Sequence, residues 1–275
     1  VWHHLVAGST PESVRAKFIE IAGEMKWDVA GVDHDRYIKI ERDGLATVAA
    51  TTTEYHVLVQ GNTLLDIPEF DTSHRQQVGD PIFTVVTDAP VKRMDGDVAQ
   101  QHALDLLDIK GICVSNPNGL VVDIGGLYGD FGLSTAARGC PTVIFEPQIH
   151  HAEQIARSVQ VNGFERLVTV RNEAVSTAAA VQISSKVHQD GLVSAHGDGA
   201  SVPGVTLQNV FPGEKILFMK VDVEGFEGDV LNASRPLFTA GRVNHAVFEY
   251  TPYHFVGRGT NYETFLPDLI SLGAK

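Results

Sequence analysis

Four carboxylates, one histidine and a glycine turn carry most of the chemistry this sequence offers. Asp222 and Glu224 stand in the run Phe218-Met219-Lys220-Val221-Asp222-Val223-Glu224-Gly225-Phe226-Glu227, where an apolar segment ends in two closely spaced acids. Just past a strand, such a pair can hold an acceptor, take a proton or bind a cation. The run does not fit a calcium-binding helix-loop-helix, because Phe226 stands where the third ligand belongs. Glu227 and Asp229 read as helix-start acids facing the positive end of the helix dipole. Glu249 closes a second apolar run, with Tyr250 and His254 after it. Asp222 and Glu249 are the first candidates to line a binding pocket at this edge, with Glu224 and His254 as further candidates for a base. The histidine pairs His3-His4 and His150-His151 are adjacent in sequence and do not share one helical face, so no metal is assigned.

The glycine turn lies in Val121-Val122-Asp123-Ile124-Gly125-Gly126-Leu127-Tyr128-Gly129-Asp130-Phe131-Gly132, which reads as strand, turn and helix. Glycine there would spare a collision with a ligand lying on the backbone, and free N–H groups at the helix start would suit a carboxylate or phosphate. The spacing argues against a nicotinamide dinucleotide. Leu127 stands where GxGxxG needs its second glycine, Phe131 stands where GxxxGxG needs its last, and the chain has no Tyr-x-x-x-Lys. Glu146, in Phe145-Glu146-Pro147, follows Gly125 by about twenty residues, where an acid can accept two hydrogen bonds from a ribose diol.

These residues need a sheet to bring them together. From residue 119 onward, strands are expected at 120–124, 142–146, 167–171, 216–221 and 243–249, and helices at 130–138, 150–161, 225–233 and 262–272. Such alternation implies an α/β fold with a parallel sheet covered by helices on both faces. Residues 177–207 are weakly patterned and read as loop. The turn at 116–119 marks a boundary, and residues 1–115 read as a small α+β lobe or cap. That lobe is expected to hold a helix at 9–25, strands at 37–40, 46–53, 55–60 and 82–87, and a helix at 97–107 that leads into the core.

Composition is that of an ordinary globular protein, with 43% hydrophobic and 20% charged residues. The formal charge of −13 disfavours a nucleic-acid partner but tolerates a cationic small molecule. No apolar run is long enough to span a membrane. Cys113 and Cys140 form no metal or CxxC spacing and are expected to be two free thiols in a reducing, cytoplasmic compartment. The chain begins at Val1, so an upstream signal or anchor would be invisible here.

Val121-Val122-Asp123-Ile124-Gly125, Phe145-Glu146-Pro147, Asn172-Glu173-Ala174-Val175-Ser176 and Lys220-Val221-Asp222-Val223-Glu224-Gly225-Phe226-Glu227 resemble the FkbM methyltransferase family in order and spacing. The resemblance covers roughly residues 119–272. It implies a class I, Rossmann-like core, with S-adenosylmethionine as cofactor and methyl transfer to oxygen on a sugar or natural-product acceptor. It also implies that Asp123, Gly125 and Glu146 line the cofactor site, with Gly126, Gly129 and Pro147 in the same motifs. Asn172 and Glu173 would fall near the adenine, and Asp222 and Glu224 near the methyl group. Leu127 stands where the family has Asn or Gly, so a positive φ is expected at a residue poorly suited to it. The core would stop short of the last two strands usual in that fold, one of them antiparallel. The competing expectations are a catalytically inactive Rossmann-like scaffold or binding module and, more remotely, a nicotinamide-dependent oxidoreductase.

Overall fold

The computed structural model describes residues 37–41, 57–67, 74–79, 81–88, 108–183, 200–255, 258 and 260–273. Apolar runs too short for helices form its centre: β6 (Gly119–Ile124), β7 (Thr142–Phe145), β8 (Val168–Arg171), β12 (Lys215–Val221) and β13 (Val243–Glu249). Every residue of β6 and β7 is buried, as befits strands covered on both faces. With β2 (Leu58–Gln60) they form a six-stranded parallel array in the order β13-β12-β6-β7-β8-β2. Two antiparallel strands flank it, β1 (Tyr37–Glu41) beside β13 and β3 (Thr63–Leu64) beside β2. The antiparallel neighbour expected after β13 is therefore supplied by β1, from the N-terminal side of the core.

The side chains of β6 alternate between two clusters. Leu120, Val122 and Ile124 pack with Leu231, Leu237, Phe265 and Leu266 of α5 (Glu227–Thr239) and α7 (Tyr262–Ser271). Val121 packs with Phe131 of α2 (Asp130–Ala137) and with Ile109 and Cys113 of α1 (Ile109–Ser115). A third cluster joins α2 to α3 (Ile149–Asn162) and to the hairpin β4–β5 (Arg75–Val78 and Phe83–Val86) through Leu133, Ile155, Val159, Phe83 and Val85.

The central elements lie close to where the sequence places them, and the differences have local causes. Helix α5 continues past the expected stop at 233, through Pro236. An interior proline costs about 3 kcal/mol. Burial of Leu237 and Phe238, each fully or nearly fully covered, recovers about 1.5–3 kcal/mol apiece and offsets it. Residues 177–207, read as loop, contain β10 (Ala180–Gln182) and β11 (Ser201–Val205) and lead into the short α4 (Leu207–Val210). With β9 (Ala174–Val175), β10 and β11 make a separate small sheet. Pro203 and Gly204 inside β11 erase its strand signature. The expected helices at 9–25 and 97–107, the strand at 46–53 and the pair His3-His4 lie outside the described residues.

The thiol expectation is overturned: Cys113 and Cys140 form a disulfide, with Cα atoms 5.3 Å apart. Both are buried, and the bond ties α1 to the turn between α2 and β7. Nothing in the spacing of two cysteines 27 residues apart announces that contact. The thiol argument for a reducing compartment falls with it. Closing a loop of this size stabilises by about 3 kcal/mol in the chain-entropy account. Urea unfolding of Cys113→Ser/Cys140→Ser should therefore show that loss, and reductant should lower the wild-type midpoint while leaving the double variant unmoved.

Candidate active site

The chain crosses outward from β6 to β7 and β8 on one side and returns to β12 and β13 on the other, so strand order reverses between β6 and β12. The carboxyl ends of these two strands form the crevice where ligands bind in open α/β sheets. Lys220 anchors it from below. Its ammonium donates to the Gly125 carbonyl at 2.6 Å and lies 3.3 Å from Asp123 Oδ1 and 3.8 Å from Asp222 Oδ2. Lys220 and Asp123 are both buried. Burial works against the lysine's charge, but Asp123, Asp222 and Asp130 overcome it and raise its pKa. Desolvation pushes Asp123 up to about 6, against the pull of Lys220. Its Oδ2 accepts the Gly132 N–H at 3.0 Å and so pins the first turn of α2.

The glycine turn is tighter than expected and serves a different purpose. A Cβ at Gly125, where φ is +80°, would stand 1.9 Å from the Asp222 carbonyl oxygen. One at Gly126 would meet Ile144 at 2.5 Å, and one at Gly129 would meet Ile155 at 2.8 Å. These glycines make room for the protein's own backbone and core, not only for a ligand. Nor are the N–H groups of the turn free. Those of Gly125 and Gly126 donate to the Phe145 carbonyl, that of Leu127 to Glu146 Oε2, and that of Gly129 to the Gly126 carbonyl. At the helix start itself, the Gly132 N–H is taken by Asp123 and the Leu133 N–H by the Gly129 carbonyl, which narrows the expected anion site. Leu127 adopts φ 48°, as its place in the turn requires.

Glu146 reaches into the turn from the end of β7. Its Oε2 accepts from Leu127 N and its Oε1 from Gln148 N, both at 2.8 Å, leaving each oxygen a further lone pair. Burial pushes this carboxyl up to about 7, against the two N–H donors. Pro147 follows at the same strand end and accepts from Asn172 Nδ2 at 2.9 Å. The same amide donates to the Glu146 carbonyl at 3.0 Å, while Asn172 Oδ1 accepts from Gln60. Glu173, fully buried, accepts from Arg171 and from the Gly61 N–H. The side chains of Asn172 and Glu173 are thus committed to tying β8, β7 and β2 together.

Beyond β12 and β13, Glu224, Glu249 and His254 converge, with one potential ligand atom from each lying within 4.8 Å of the others. His254, on the short helix α6 (Pro252–Phe255), places Nδ1 2.7 Å from Glu224 Oε2. Glu224 has φ 53°, and its carbonyl accepts from Arg258 at 2.6 Å. Glu249 is 2% exposed. Its Oε1 accepts from Thr251 at 2.9 Å, and its Oε2 has no hydrogen-bond partner among the described residues. Burial and the nearby Asp222 and Glu224 push Glu249 up to about 9. Glu227 is different: it accepts the N–H groups of Val223 and Gly225 and closes the loop ahead of α5. Asp229 accepts from Ser176 and Thr177.

Sequence reasoning passed over Lys220, Arg171 and Arg258. For Lys220 a signal existed, because a charged residue inside an apolar strand must find a partner. Arg171 and Arg258 act through backbone and side-chain contacts that no local pattern announces.

A parallel sheet with a glycine turn at its switch point and an acid at the next strand end defines a Rossmann-like architecture. Residues 123–270, more than half of the chain, match the family model described as the methyltransferase FkbM domain. The chain belongs to the FkbM methyltransferase family. No curated protein and no solved structure matches it. Among the described residues, no helix is long and apolar enough to cross a membrane.

Lys220→Met would leave Asp123 buried without its counter-charge. The unfolding free energy should fall by about 3–5 kcal/mol at pH 8. At pH 5 Asp123 takes up a proton instead, so the loss should be smaller. Chemical denaturation at the two pH values checks both the size and the sign.

Proposed function

We propose that this protein transfers the methyl group of S-adenosylmethionine to a hydroxyl oxygen of a sugar or natural-product acceptor. The observation that carries the reading is Glu146, a buried carboxylate at the end of β7 aimed at the glycine turn of β6, across from Asp222. The residues suit the cofactor's chemistry: a carboxylate with spare acceptor capacity fits a ribose diol, and the nearby acids fit a cationic sulfonium. When bound, S-adenosylmethionine supplies an activated methyl group and a neutral thioether leaving group.

Glu146 accepts the ribose hydroxyls. Gly125, Gly126 and Gly129 keep the ledge beneath the ligand low, and Asp123, through Lys220, keeps it rigid. Pro147, Asn172 and Glu173 frame the adenine end. Asp222 and Glu249 orient the acceptor, and the paired Glu224 and His254 receive its proton. The partner is a small molecule or glycan rather than a nucleic acid, consistent with the net charge of −13. The disulfide favours an oxidising compartment over the cytoplasm.

Proton linkage tests the cofactor site. Free Glu146 titrates at about 7. Ribose hydroxyls donating to the carboxylate favour its charged form, so its pKa falls on binding and a proton leaves when the pH is below about 7. Calorimetry with S-adenosylhomocysteine should show affinity rising with pH and levelling off above neutrality. Glu146→Gln should bind more weakly and lose that slope. An absence of binding heat at every pH would favour the inactive-scaffold reading.

The acceptor side is tested by transfer of labelled methyl to a panel of sugars and polyols. His254→Asn should lower turnover by about 100-fold or more while leaving S-adenosylhomocysteine affinity within about twofold. Equal losses in both would place His254 in the fold rather than in the chemistry.

A further inference from the structure

The geometry points to a divalent-cation site formed by Glu224, Glu249 and His254, adjoining the proposed methyl-transfer crevice and resting on that reading only for its role in holding the acceptor. Three features of the cluster carry it. One oxygen or nitrogen from each of the three residues lies within 4.8 Å of the others. Ligands at about 2.0–2.2 Å from one ion stand at most about 4.4 Å apart, so small side-chain rotations complete the set. Glu249 is 2% exposed, and its Oε2 has no hydrogen-bond partner among the described residues, although a buried carboxylate oxygen left in that state is costly. A cation is the partner that would satisfy it. The third feature is the donor set itself: carboxylate oxygen and imidazole nitrogen are both ordinary ligands of a divalent ion, and three protein ligands leave positions open, as catalytic sites require.

The three residues come from different elements. Glu224 lies in the loop after β12, Glu249 ends β13, and His254 lies on α6. The site therefore exists only when these segments are docked, and a cation there would hold them together. With three protein ligands, further positions remain for oxygens of an acceptor, and a bound ion would replace the Glu224–His254 pair as the means of deprotonation by lowering the pKa of a coordinated hydroxyl, whose proton then leaves to water. That would make a polyhydroxylated or hydroxy-carbonyl compound, able to present two oxygens at once, the best-suited substrate class. The mixed nitrogen and oxygen donors favour a first-row transition ion over Mg2+, which prefers an all-oxygen shell with retained water.

The test titrates MnCl2 into the whole chain and follows the free-ion signal by electron paramagnetic resonance. One saturable site per chain is expected. ZnCl2 should displace the Mn2+ and restore the signal, in line with the usual affinity order, whereas equimolar MgCl2 should not. Glu249→Gln and His254→Gln should each weaken Mn2+ binding by at least about tenfold. Glu263→Gln, an exposed acid on α7, should leave it unchanged. S-adenosylhomocysteine affinity, measured on the same samples, reports whether each variant is folded and is independent of the ion. Non-saturable binding, or equal binding by Glu249→Gln that still binds the nucleoside, would overturn the site. Mn2+ binding by a protein that never binds S-adenosylhomocysteine would leave the cation site standing and remove the methyltransferase reading beside it.

Discussion

A single ammonium group joins the two halves of this fold. Lys220 sits beneath the point where strand order reverses and holds Asp123 of β6, the carbonyl of Gly125 and Asp222 after β12. A buried lysine is tolerated only when such partners outweigh its lost hydration. Here they do, and the cation thereby clamps together two neighbouring strand ends. Asp123 passes the restraint to helix α2 through the Gly132 N–H. Strand, turn and helix are thus fixed by one chain of charge-assisted contacts.

The glycines follow from that clamp. With the Gly125 carbonyl drawn onto Lys220 and its Cα pressed against Asp222, a side chain there would meet backbone rather than open space. The N–H groups of Gly125, Gly126, Leu127 and Gly129 are taken by Phe145, Glu146 and Gly126. Glu146 combines two tasks, since it holds the turn at Leu127 while keeping lone pairs for another donor.

Acidic groups accumulate at the same edge. Asp222, Glu224 and Glu249 crowd together, and burial lifts Glu249 far above the normal carboxylate range. Charge of one sign in a half-buried pocket is unfavourable in isolation and becomes useful when a positive group arrives. A sulfonium and a metal ion are both such groups, and the crevice has acids at two separate positions, Glu146 on one side and the Glu224–Glu249–His254 cluster on the other.

Periodicity alone determined the alternating core, because strands covered on both faces must be continuously apolar and their helices must repeat at helical spacing. Local composition likewise located the glycine turn and placed Glu146, Asp222, Glu224, Glu249 and His254 at strand ends or in the loops beyond them. Tertiary structure decided the rest. The antiparallel neighbour of β13 is β1, and β2 and β3 extend the opposite edge, because backbone pairing depends on which edge is open and not on nearness in sequence. The Cys113–Cys140 bond, the Asn172 and Glu173 ties and the Glu224–His254 pair share that cause: each joins residues that only folding brings within bonding distance. A sequence states which groups are available, but distances between them arise only once the sheet has set its strand order.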